Sequence, residues 1–195
     1  MILLGPIVNL QVQTVSLKIG EGVKQRFDNS GLQVVDQLEL NDGGVRGFAT
    51  GVEYADVHHR DHPQSKLRGT LNSISIGFTG HYDRMRTQFG EHFTPGVAAE
   101  NILIDYPDRV HLADLSNGLI IETGDGQSLR LSEVLVAEPC SPFSRWALQF
   151  PDGEKPDIRV TQTLQFLGTG MRGFYCRYIG MPARIQAGDR VYLAD

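Results

Sequence analysis

Cys140 stands in a short loop between two prolines, Glu138-Pro139-Cys140-Ser141-Pro142. A thiol held there can offer its sulfur to a soft electrophile or a metal. The prolines restrict the backbone and lower the entropy lost when that sulfur is committed to one geometry. Arg145 is close enough in sequence to hold a thiolate, and Glu138 opposes one if it points the same way. Further along, Gly168-Thr169-Gly170-Met171-Arg172-Gly173 is glycine-rich and basic. Glycines such as Gly170 and Gly173 let main chain approach a ligand, and the fork of Arg172 matches phosphate. Together the two segments suggest a site that presents sulfur to an anionic cofactor. Each has a plainer alternative. A free cysteine is commonly a small buried hydrophobe, and a glycine-rich turn commonly carries a solvated arginine.

Other residues with chemical potential are scattered. In the segment 173–179 Cys176 shares a strand face with Phe174 and Tyr178, which makes it core, whereas Arg177 points the opposite way and is a ligand-contact candidate. The amide of Asn101 can donate to and accept from a heteroaromatic ring, or it can cap the turn before its strand. His58, His59, Asp61 and His62 resemble the His-x-Asp-His part of the metallo-β-lactamase signature, in which imidazoles and a carboxylate bind zinc for hydrolysis. Val57 stands where that signature carries a further histidine, and Glu53-Tyr54-Ala55-Asp56 is half polar where it has an apolar strand. The alternative is a polar loop flanking a cofactor pocket. His81, His92 and His111 show no ligand spacing.

The elements that must position these residues read mainly as β-strands. Val8, Leu10 and Val12 alternate, then Val15, Leu17 and Ile19 alternate in the opposite register, a slip that a β-bulge at Thr14-Val15 would leave. Leu38 and Leu40 lead into the turn Asn41-Asp42-Gly43-Gly44. Leu71, Ile74, Ile76 and Phe78 mark a buried strand, and Ile102 to Ile104 another. Tyr82, Met85 and Phe89 keep helical spacing up to Gly90. Residues 109–137 read as a three-legged meander. Asp157 caps a second helix that runs to Leu167, with Gly168 at its end. Strands over Met171 to Ile179 and Arg190 to Leu193 close the chain. The sum is a mainly β fold, a closed or nearly closed antiparallel barrel with a few short helices, in one domain over residues 1–195.

Composition sets outer bounds. Apolar residues make up 41% and charged residues 21% of 195, an ordinary globular balance. A net charge of −5 gives no general attraction to nucleic acid or to an anionic membrane. No apolar stretch approaches the roughly 20 residues of a spanning helix. Two cysteines make no disulfide framework, so a cytoplasmic setting with both thiols reduced is expected.

Four blocks in this order resemble the MOSC domain, the family named for the C-terminal part of molybdenum cofactor sulfurase. They are Asp56-Val57-His58-His59 leading into the buried strand, Phe89-Gly90-Glu91-His92-Phe93-Thr94 followed by Asn101-Ile102, the strand that ends in Pro139-Cys140, and Gly170-Met171-Arg172-Gly173-Phe174-Tyr175-Cys176-Arg177 with Ala187-Gly188-Asp189 behind it. The resemblance implies a β-barrel whose cysteine ligates molybdenum or carries sulfur, and in cofactor-binding members the reduction of N-hydroxylated compounds. Carried over to this chain, Cys140 is the catalytic thiol and metal ligand. Asn101, Arg172, Arg177, Gly170, Gly173 and His59 surround the molybdopterin. A separate electron or sulfur donor is implied, because no flavin, iron–sulfur or pyridoxal-phosphate motif is visible; a zinc hydrolase on residues 58–62 and a non-catalytic binding module are the alternatives. Two departures stand out: Ala55-Asp56 replaces the family's usual Gly-Asp, and Ser-Pro-Phe-Ser-Arg follows the cysteine where a basic residue is often close behind.

Overall fold

The computed structural model describes residues 1–65 and 73–195, so Leu71 of the expected strand lies outside the described residues. Seven strands close into a barrel. Around it they run Arg190–Leu193, Leu119–Glu122, Ser128–Val136, Phe174–Tyr178, Ile74–Phe78, Ile102–Ile104 and Ile2–Gln13, and the last pairs back onto the first through Ile2 and Leu193. Alternation builds its interior. Phe174, Cys176 and Tyr178 are buried while Tyr175 and Arg177 between them are half-buried. Ile74, Ile76, Phe78 and Ile102 fill the same core. β-Branched and aromatic side chains suit such a pleated surface, and closure leaves no unpaired edge.

One neighbouring pair departs from the expected antiparallel order. Ile74–Phe78 and Ile102–Ile104 run parallel, Ile76 beside Ile102. Parallel neighbours need a crossover, and here it consists of helix α1 (Thr79–Phe89) and the loop 90–101. Four further strands, Ala183–Gln186, Gln37–Asn41, Gly44–Ala49 and Val52–Ala55, form a second sheet that adds Leu38, Leu40, Val45 and Ile185 to the barrel core. A separate apolar cluster joins Tyr82 and Met85 of α1 to Phe27, Phe93, Phe143 and Leu167.

Several local readings hold. Gly90 caps α1 at φ 112°, Asp42-Gly43 turns the hairpin between Asn41 and Gly44, and Asp157 accepts from the Arg159 N–H at the start of α3 (Ile158–Phe166). Others need correction. The first leg of the meander is a 3-10 turn, Leu112–Leu115. The first strand changes face between Ile7 and Asn9 rather than at Thr14-Val15, so Ile7 and Leu10 are buried and Val8 is exposed. The second helix passes Gly168 into a wide turn, Leu167–Met171, that reverses only at Gly170 with φ 84°. A short helix that the sequence did not announce, α2 (Ser141–Ala147), begins directly after Cys140. Pro142 sits in its first turn, where a missing N–H breaks no helical bond.

Gly173 shows how tightly the barrel is built beside this turn. Its φ is 122°, and a Cβ would stand 2.4 Å from the carbonyl oxygen of Ile76. Gly173→Ala is expected to lower the unfolding free energy by about 2 kcal/mol or more. Urea denaturation measures this, and an unchanged midpoint would contradict the packing described.

Candidate functional site

Cys140 and Arg172, distant in sequence, line one cavity of about 760 Å³ together with Lys18, His58, Glu100 and Tyr175. Helix α2 is what joins them. Cys140 caps its start, and Phe143 in its first turn lies under Arg172, whose guanidinium carbon is 5.0 Å from the ring centroid. Arg172 Nη1 donates to the carbonyl of Glu138 at 3.0 Å, tying the wide turn to the cysteine loop. Its Nε is buried and has no hydrogen-bond partner among the described residues. Cys140 is half-buried, whereas Cys176 is sealed in the barrel core. Burial pushes the Cys176 thiol far up, which fits an inert core residue.

The other residues read from the sequence are placed differently. Arg145 does not line the cavity; its Nη2 donates to the Pro151 carbonyl at 3.0 Å, and it lies over Phe150 at 5.5 Å. Arg177 pairs with Glu133 at 3.5 Å and does not line the cavity, while Tyr175 on the same strand face does. Gly170 and Gly173 serve packing. A Cβ on Gly170 would meet the Phe174 ring at 2.7 Å, and neither glycine lines the cavity.

Asn101 is buried and fully engaged by the protein, so its amide does not face a ring. Its Nδ2 donates to Asp56 Oδ2 at 2.9 Å and to the Gln11 carbonyl at 3.2 Å, and its Oδ1 accepts from the N–H and the hydroxyl of Ser75, both at 2.9 Å. Asp56 is in turn the anchor of His58. Its Oδ1 is 2.9 Å from His58 Nδ1 and accepts the His58 N–H at 2.9 Å, while Oδ2 accepts the Gln13 N–H at 2.8 Å. Burial opposes a charge on Asp56, yet the bonds from His58 and from the Gln13 backbone hold its carboxyl below the usual range. The result is an imidazole oriented by an ionised carboxylate at the wall of the cavity.

The four members of the zinc cluster do not gather around a point. His58 turns to Asp56. His59 is buried, with Nε2 3.2 Å from Asn41 Oδ1 and Nδ1 accepting the Asp61 N–H at 3.1 Å. His62 meets the Thr14 carbonyl at 3.1 Å, and Asp61 pairs with Arg46 at 2.9 Å. Burial, then the charge of Arg46, keeps His59 below its ordinary pKa. Among the described residues no group of three or more His, Cys, Asp or Glu side chains is placed to hold a metal. His59 also lies outside the cavity lining, so its expected ligand contact is not formed.

Sequence reading missed Glu100. It is 3% exposed and lines the cavity. The Tyr82 hydroxyl lies 2.8 Å from both of its carboxyl oxygens. Burial pushes its pKa up to about 7, against the Tyr82 bond and the charge of Arg172. The one available signal was a carboxylate directly before a buried strand, where a solvated residue is unremarkable.

Comparison with known proteins agrees with this architecture. The model of the MOSC domain family matches residues 67–192. No curated protein matches the chain in sequence. Among solved structures, a hypothetical protein is 18% identical over 97% of this chain and 69% of its own, with a TM-score of 0.56. YiiM from Escherichia coli is 19% identical over 84% of this chain and 65% of its own, with a TM-score of 0.52. The YuaD protein of Bacillus subtilis is 15% identical over 95% of each chain, with a TM-score of 0.48. At these identities the likeness concerns the fold. The family match, by contrast, runs through α1, most of the barrel strands, Cys140 and Arg172, and by it the chain belongs to the MOSC domain family.

Proposed function

We propose that this protein binds a molybdenum cofactor through Cys140, or carries sulfur on the same atom. The observation that supports the reading is a half-buried thiol sharing a cavity with Arg172. The residues present suit such a group. A volume of about 760 Å³ lies within the usual range for a cofactor pocket. A thiolate is a soft donor that suits molybdenum, and Arg172 brings a cation with an unpartnered Nε, as a terminal phosphate requires. Lys18 adds a second cation to the lining.

Under this reading Cys140 ligates the metal, while Arg172 and Lys18 hold the anionic end. When bound, the cofactor supplies the redox chemistry, with the reduction of N-hydroxylated compounds as the implied reaction and a separate protein as electron donor. His58 presents a ring fixed by Asp56 to whatever occupies the cavity, and Asn101 positions Asp56. In the sulfur-carrier form the Cys140 thiolate attacks the outer sulfur of a donor protein's persulfide. A new S–S bond forms, the old one breaks, and the donor leaves as a thiolate. Both forms need a free thiol and so suit a reducing compartment such as the cytoplasm. No helix among the described residues is long and apolar enough to cross a membrane. The hydrolase reading is not carried forward, because its four side chains diverge.

Protein purified from cells that make the cofactor is expected to contain molybdenum and pterin in about equal amounts, and Cys140→Ala to lose the metal. Wild-type protein with neither, or a Cys140→Ala variant that keeps both, contradicts ligation. Arg172→Gln is expected to weaken pterin retention about tenfold or more, the worth of a charge-assisted phosphate contact. Retention at the wild-type level on repeated gel filtration would remove Arg172 from the site. Cofactor bound without turnover in a reconstituted reductase assay would leave a binding module.

A further inference from the structure

Glu100 is a buried carboxyl that the reading above leaves without a role. The crossover loop delivers it to the cavity just before Ile102–Ile104. The Tyr82 hydroxyl contacts both of its oxygens and accepts the Ala98 N–H at 3.0 Å. A hydroxyl has a single hydrogen, so Tyr82 satisfies only one of the carboxyl's acceptor positions. On another side stands Gly77, where a Cβ would come within 3.1 Å of Glu100 Cγ, and glycine there leaves the carboxyl its place. None of the ion pairs among the described residues includes Glu100. The titratable and charged groups sharing its surroundings are Tyr82 from α1, Arg172 from the wide turn, Lys18 and His58 from the N-terminal segments, and Glu138 and Cys140 from the loop before α2.

We propose that Glu100 contacts the anionic ligand of this cavity as a neutral acid, giving its carboxyl hydrogen to an oxyanion that Arg172 holds by charge, so that binding takes up a proton wherever the free carboxyl is ionised. The proposal rests on the reading of the cavity as an anion-binding cofactor pocket. A carboxylate facing an incoming oxyanion repels it. The same carboxyl carrying its proton converts that repulsion into a hydrogen bond. The balance is poised near neutrality because burial raises Glu100 to about 7. As the pH rises through that value the carboxyl ionises and anion binding weakens. The preferred ligand is one that presents phosphate or another oxyanion at this wall rather than a neutral group.

The cavity thiol itself can report this. Iodoacetate and iodoacetamide both alkylate a thiolate with loss of iodide, but only the first is an anion. The ratio of their rates at Cys140 therefore cancels the thiolate fraction and reads the charge of the cavity. Cys176, fully buried, does not compete. In the wild type the iodoacetate/iodoacetamide ratio is expected to fall about threefold or more between about pH 6 and about pH 8, as a like charge nearby requires. Glu100→Gln should hold the low-pH ratio throughout. Tyr82→Phe removes a bond that favours the ionised form and should move the fall to higher pH. A flat ratio in the wild type, or a fall that survives Glu100→Gln and vanishes in His58→Asn, overturns the proposal. Protein that lacks molybdenum and pterin yet shows the Glu100-dependent fall would sink the cofactor reading and leave the anion contact standing, so the two fail separately.

Discussion

Arg172 lies over the ring of Phe143 and bonds the carbonyl of Glu138, and this contact ties together two segments that line the cavity. It links the turn after α3 to the loop and helix that hold Cys140. A guanidinium on an aromatic face keeps its charge while its apolar surface is covered. One of its donors is used by the loop, and Nε is left without a protein partner among the described residues. Through it, α2 carries both the cysteine at its N-terminus and the ring beneath the guanidinium.

The opposite wall depends on a different constraint. Asp56 is fully buried and accepts from the Gln13 and His58 backbones, the Asn101 amide and the His58 ring. A buried carboxylate is costly unless its lone pairs are filled, and these bonds fill them with groups from separate parts of the chain. Ser75 continues the network onto the strand Ile74–Phe78 through both atoms of its bonds to Asn101. The orientation of His58 is thus fixed by the same bonds that pin the loop 55–59 to the barrel. Two buried carboxyls near this cavity behave oppositely: Asp56, behind His58, is held ionised by its donors, and Glu100, in the lining, has its pKa raised by burial despite the Tyr82 bond.

Much of the fold was legible because it rests on local rules. Strand alternation at Phe174, Cys176 and Tyr178, the capping Gly90, and the Asp42-Gly43 turn each follow from residue type and period. What escaped the sequence depended on tertiary contact. The face change at Ile7 arises from pairing with Ile102–Ile104, distant along the chain. Helix α2 is a single short element, too brief for a helical period to show in the sequence, and it is held by Phe143 and Trp146 packing on Phe27. At the site, Cys140 and Arg172 were readable as reactive types in stiff or glycine-rich loops. Asn101 and His59 were misread because a sequence does not show which partners will absorb a side chain's hydrogen bonds. Glu100 was invisible for the reverse reason: only burial gives a lone glutamate its altered chemistry.

X-ray absorption at the molybdenum edge of the loaded protein separates a ligating Cys140 from a bystander. Cys140 as a ligand predicts one sulfur scatterer fewer in Cys140→Ser than in the wild type, with an oxygen scatterer in its place. Identical coordination shells in the two proteins would contradict it.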